Sequence, residues 1–170
     1  MTAAPDGGEP TDPAACPPQA PNPHDLYVFP GQVVVSAEPR HLSTVLGSCV
    51  AVCLYDPALR VGGMNHFLLP SPVGGKSWSP RFAGPAVQQL VGQVLGLGAD
   101  SRRLLAKLFG GTTPADPARN GFHVGWRNVE AARRLLHDEG IPLIAEDVGG
   151  PRGRRLVFQT YDGTAWVRHI

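Results

Sequence analysis

A chain of 170 residues with 15 Lys and Arg against 14 Asp and Glu carries a formal net charge of +1, too small and too evenly mixed to mark a nucleic-acid or anionic-membrane partner. No stretch approaches the roughly 18 consecutive apolar residues of a membrane span. The first basic residue is Arg40, which leaves no basic start for a secretory leader, so a cytoplasmic protein is expected. Cys16, Cys49 and Cys53 are an odd set for a disulfide framework, and chemistry or plain burial is the better reading of them.

Residues 1–23 hold Pro5, Pro10, Pro13, Pro17, Pro18, Pro21 and Pro23 and almost no large apolar side chain. Such a segment cannot bury enough surface to offset chain entropy, so a disordered tail is expected, followed by one domain over 24–170. Leu26–Phe29 and Gln32–Val35 read as short strands around the Pro30-Gly31 turn signal, and Leu42–Leu46 as a third. Val50–Tyr55 and Val61–Leu69 are β-branched and apolar runs on either side of Asp56-Pro57, the clearest hairpin in the chain.

Ala86, Leu90, Val91, Val94 and Leu95 recur at helical spacing, with Pro85 placed to start that helix and Gly96 or Gly98 to stop it. Leu104–Phe109 follows as a strand closed by Gly110-Gly111. A second helix is expected from an Asn128 cap to Gly140, then a strand over Ile141–Ala145 and a C-terminal hairpin around Asp162-Gly163. Strands outnumber helices and no βαβ series appears, which predicts an α+β fold with a mainly antiparallel β core flanked by helices.

The chemistry-bearing residues cluster on the predicted hairpin. Cys49 follows the Gly47-Ser48 turn at the head of a buried-looking strand, where backbone N–H groups are free to face an oxyanion beside the sulfur. His66 lies inside the return strand, and a tight turn around Asp56–Arg60 places it opposite Cys49 or one diagonal step away. A thiol with a pKa of about 8.5 is only about 3% thiolate at pH 7, so an imidazole within reach has work to do, as base for the sulfur and as acid for departing ammonia. Ser43 and Thr44 are the candidates for a third polar group that orients the imidazole.

Competing readings are weaker. Gly75-Lys76-Ser77 lacks the earlier glycine and the following helix of a phosphate loop. Cys49, Cys53 and His66 supply only three zinc ligands, on strands rather than a knuckle, so no metal and no cofactor are expected and Cys53 is assigned to the core. His24, His41, His123, His137 and His169 are read as solvated.

Leu42–Pro57 (LSTVLGSCVAVCLYDP) and Val61–Pro70 (VGGMNHFLLP) together resemble the signature of the CheD family, the chemoreceptor glutamine deamidases of bacterial chemotaxis. Ala106–Gly111, Val124–Leu136 and Gly140–Phe158 continue the resemblance in order and spacing. It implies a β-rich sandwich related to toxin deamidases, and conversion of selected receptor glutamines to glutamates, with methyl-ester hydrolysis in some members. It also implies a cysteine nucleophile and a histidine base, here Cys49 and His66. The family's threonine, six residues before the cysteine, corresponds in offset to Ser43, so Ser43 rather than Thr44 is expected beside His66. Chemoreceptor cytoplasmic domains are the implied substrate and a CheC-type phosphatase a partner of some relatives. A monomer is expected, and an inactive adaptor docking on those same partners is the alternative to an enzyme.

Overall fold

The computed structural model describes residues 25–75, 77–113 and 123–170, so the expected tail and Lys76 lie outside the described residues. In chain order the elements are β1 (Asp25–Tyr27), β2 (Val33–Ser36), β3 (His41–Leu46), β4 (Val50–Asp56), β5 (Val61–Asn65), α1 (Ala83–Gly96), β6 (Leu105–Gly110), α2 (Val124–Asp138), β7 (Leu143–Val148), β8 (Arg154–Gln159) and β9 (Ala165–His169). They form three layers. An outer sheet of order β1-β3-β8-β9 stacks on a central sheet of order β2-β5-β4-β6-β7, and both helices cover the other face of the central sheet.

Every residue of β4 is buried because its two faces meet different layers. Val50, Val52 and Leu54 pack toward the helices with Leu90, Val94, Val129 and Leu136, while Ala51, Cys53 and Tyr55 pack toward the outer sheet with Leu42, Leu156 and Phe158. A strand buried on both sides reads as a continuous apolar run, which is what VAVCLY is. Most pairings are antiparallel, as expected, but β1–β3 and β6–β7 are parallel. The β7 strand runs Leu143–Val148 instead of Ile141–Ala145, because Pro142 can accept from Ala106 but has no N–H to give the ladder.

The helix α1 begins two residues before Pro85, which sits in the first turn where its missing N–H costs nothing. The expected Asn128 cap is corrected. Helix α2 begins at Val124 after an extended His123, and Asn128 lies inside it, fully buried. Gly125 allows this early start, since its Cα lies so close to the carbonyls of Gly111 and Thr112 that a Cβ would overlap them.

The turn between β4 and β5 is built on Asp56, whose carboxylate accepts the N–H groups of Ala58, Leu59 and Asp100 and pairs with Arg103 at 2.7 Å. The Arg103 guanidinium and those N–H groups hold its carboxyl well below the usual range, against the opposing effect of burial. Two histidines expected to be solvated are partnered: His41 Nδ1 lies 2.9 Å from Asp25, and His169 Nε2 lies 3.2 Å from Asp147. His123 has a buried Nε2, His137 is exposed, and His24 lies outside the described residues. No helix among the described residues is long and apolar enough to cross a membrane.

Candidate active site

Alternation along β3 sorts its side chains. Leu42, Thr44 and Leu46 are fully buried against the central sheet, whereas Ser43 and Val45 point to the opposite face. The Thr44 hydroxyl group donates to the Val28 carbonyl at 2.8 Å, and its oxygen lies 2.9 Å from Nδ1 of His66. Ser43 is therefore not the group beside His66, because one step along a strand reverses the face.

In the β4–β5 hairpin Cys53 stands opposite Met64, and the same register continues to the Val50–Phe67 bridge. Ala51 is thus opposite His66 and Cys49 opposite Leu68, which leaves Cys49 and His66 as diagonal neighbours on the face toward the outer sheet. The glycines Gly62 and Gly63 introduce no bulge; they allow close approach of Thr160 and Val35, whose atoms a Cβ would crowd. Diagonal Cα positions are about 7–8 Å apart with Cβ atoms closer, a span that an imidazole and a thiol can bridge. Thr44 enters from the outer sheet and meets His66 across the stack.

Hydrogen-bond accounting assigns the imidazole tautomer. The Val28 carbonyl can only accept, so the single Thr44 hydroxyl proton goes there, and the hydroxyl oxygen must accept from Nδ1–H of His66. The other ring nitrogen, Nε2, is buried and has no partner. With the proton on Nδ1, it is left as an acceptor. Burial lowers the His66 pKa from its ordinary 6.5, with the Val28 backbone oxygen pulling it up. Burial raises the Cys49 thiol, opposed by its own backbone N–H. Both shifts favour the neutral forms, thiol and imidazole.

The loop bearing Cys49 is held from three sides. Gly111 N–H donates to the Cys49 carbonyl and Thr112 N–H to that of Gly47, each at 2.8 Å. Gly110, at φ 107°, sits so close to the Cys49 carbonyl that no side chain fits between them. Arg154, 2% exposed, donates to the carbonyls of Gly110 and Gly149, each at 2.6 Å, and lies 3.0 Å from Asp147. Asn128 supplies the third restraint: its Nδ2 donates to Ser48 at 3.0 Å and to Leu68 at 2.8 Å, joining the segment before Cys49 to the segment after His66. Sequence reasoning took Asn128 for a cap and missed this. Among the described residues the N–H groups of Ser48 and Cys49 have no acceptor beyond the Cys49 sulfur itself.

Cys53 is fully buried between the sheets, where desolvation raises its pKa strongly, and no group of three His, Cys, Asp or Glu side chains among the described residues is placed to hold a metal.

The site thus holds a hydroxyl on an imidazole between two stacked sheets, with a thiol one diagonal step along the hairpin. The family model described as CheD chemotactic sensory transduction matches residues 68–169. A relative from Anaeromyxobacter dehalogenans, named Probable chemoreceptor glutamine deamidase CheD 1, is 51% identical over 85% of this chain and 84% of its own. Proteins named Probable chemoreceptor glutamine deamidase CheD from Zymomonas mobilis and Sulfurimonas denitrificans are 46% and 37% identical, each over 85% of this chain and over 80% and 93% of their own. Among solved structures, that of the Bacillus licheniformis hypothetical protein YfiH covers 67% of this chain and 49% of its own at TM-score 0.43 and 17% identity, a likeness too slight to argue from. The chain belongs to the CheD family.

Proposed function

We propose that this protein hydrolyses the side-chain amide of chemoreceptor glutamines, giving glutamate and ammonia, with Cys49 as nucleophile, His66 as base and Thr44 as the group that orients His66. The observation that carries this reading is the Thr44 contact to Nδ1, which leaves Nε2 of His66 buried, unpartnered and able to accept a proton. Nε2 takes the thiol proton as Sγ attacks the amide carbon, and the oxyanion meets the N–H groups of Ser48 and Cys49. The imidazolium then protonates the departing nitrogen, which leaves as ammonia, and a thioester remains. A water molecule loses its proton to His66 and attacks the thioester. Collapse returns the proton to sulfur and releases glutamate, so the cycle consumes one water and needs no cofactor.

Neutral reactants suit this site. Charge develops only as the proton moves, and the fixed hydroxyl and backbone dipoles are already aimed at it. Incubation of purified receptor cytoplasmic fragments with the protein tests the reading by intact mass, because each conversion of –NH₂ to –OH adds about one dalton. Wild type should shift the mass while Cys49→Ala leaves it unchanged. Fragments that bind both proteins yet gain no mass would establish the adaptor alternative instead.

A further inference from the structure

The outer face of the outer sheet is covered by neither helix, since α1 and α2 pack on the central sheet, against β2, β4 and β5 and against β4, β6 and β7. On this face β8 and β9 place Arg155 directly opposite Arg168, with Val45 beside Arg155 on β3. Like charges directly opposite on a sheet repel, and both guanidinium groups are exposed. Neither joins an ion pair among the described residues. The next outward row holds Tyr27, Ser43, Val157 and Trp166, which adds an apolar floor and no carboxylate. A repulsion uncompensated among the described residues points to an anionic partner.

Its place on the molecule says which partner. Val45 is four residues from Cys49, a span of at most about 14 Å. Arg155 stands about 5 Å from Val45 across the ladder, so its backbone lies within about 20 Å of that of the nucleophile. We infer that Arg155 and Arg168 form a docking patch for a carboxylate-bearing segment of the protein substrate that flanks the glutamine presented to Cys49. This rests on the deamidase reading and specifies its substrate: acidic residues within about 20 Å of the target, about four turns if that segment is helical. Each glutamine converted to glutamate adds a carboxylate to such a segment, so a partly processed substrate docks more tightly than a fresh one.

Steady-state kinetics on receptor cytoplasmic fragments test the patch with Arg155→Glu/Arg168→Glu and Arg155→Gln/Arg168→Gln. At low ionic strength the first should raise KM at least tenfold and the second about threefold, with kcat within twofold of wild type, and the differences should shrink in about 0.5 M salt. The single Arg168→Glu variant converts a repelling cross-strand pair into an attracting one, so it should raise KM while also raising the melting temperature. An unchanged KM in the double charge reversal overturns the patch. If wild type and Cys49→Ala both leave the fragments unconverted, the deamidase reading fails by itself, and fragment affinity then decides: loss of salt-dependent binding in the charge reversal supports the patch and equal affinity overturns it.

Discussion

Removal of the Thr44 hydroxyl leaves Nδ1 of His66 and the carbonyl of Val28 without their shared partner in a buried site, and the imidazole loses the restraint that keeps Nε2 free. Thr44→Ala should therefore lower kcat about tenfold or more, equivalent to about 1.4 kcal/mol of barrier, with Thr44→Ser close to wild type. Ser43→Ala should be nearly silent, since its side chain faces away from the site. Measured kcat for the three variants on one receptor fragment checks the order, and a crippled Ser43→Ala with an active Thr44→Ala would reverse the assignment. The signal was present in the sequence. Thr44 shares strand parity with Leu42 and Leu46, the two apolar residues that mark the buried face, and that parity outweighs an offset counted from Cys49. The opposed shifts of Cys49 and His66 give a second expectation at this scale. A neutral resting pair means little thiolate absorbance at pH 7, and iodoacetamide should alkylate Cys49 faster as pH rises above about 8.5. Rapid alkylation that is flat from pH 5 to 9 would reveal a preformed ion pair instead.

At the scale of elements, the hairpin that holds the thiol and the imidazole was legible, because its apolar runs and its Asp-Pro turn are local. The Asn128 clasp was not. An asparagine near a helix start usually caps it, and only the docking of α2 over the hairpin mouth shows that Nδ2 serves two carbonyls from other segments. Asn128→Asp keeps the shape and removes both donations, so it should lower kcat several-fold and slow Cys49 alkylation in parallel, because the loop and the base strand lose their common restraint. A drop in melting temperature with unaltered kcat and alkylation would mark the contact as structural only. The Asp56 cluster acts at the other end of the hairpin. Asp56→Asn weakens a half-exposed ion pair with Arg103 and the turn built on that carboxylate, which should lower stability in denaturant melts at neutral pH and have little effect on turnover per folded molecule.

For the whole molecule, the buried titratable groups bracket a pH window. His66 is held below its ordinary pKa, so its contribution to stability is complete above about 6.5 and is lost as pH falls, when the unfolded chain binds the proton first. Cys49 and Cys53 are held above theirs, so their contribution is complete below about 8.5 and is lost as pH rises. Melting temperature should therefore be flat between about pH 6.5 and 8.5 and fall on both sides, with the acid limb steepening near pH 3.9 as the unfolded chain's counterpart of Asp56 takes up its proton. The layered α+β class was legible from counts of strands and helices. The parallel pairings were not, since they join β1 to β3 and β6 to β7 across intervening segments that no local pattern links.

The order of strands in the outer sheet also sets a schedule for synthesis. Thr44 lies on β3, whose antiparallel neighbour β8 comes from the far end of the chain, as does Arg154, which ties down the glycines against Cys49. A ribosome releases the thiol and the imidazole before either helix, yet the strand that closes the stack over them emerges only after both. Until then the hydroxyl beside His66 lacks its sheet neighbour and the Cys49 loop lacks its anchor. The growing polypeptide therefore carries its cysteine and histidine uncovered until β8 has been made.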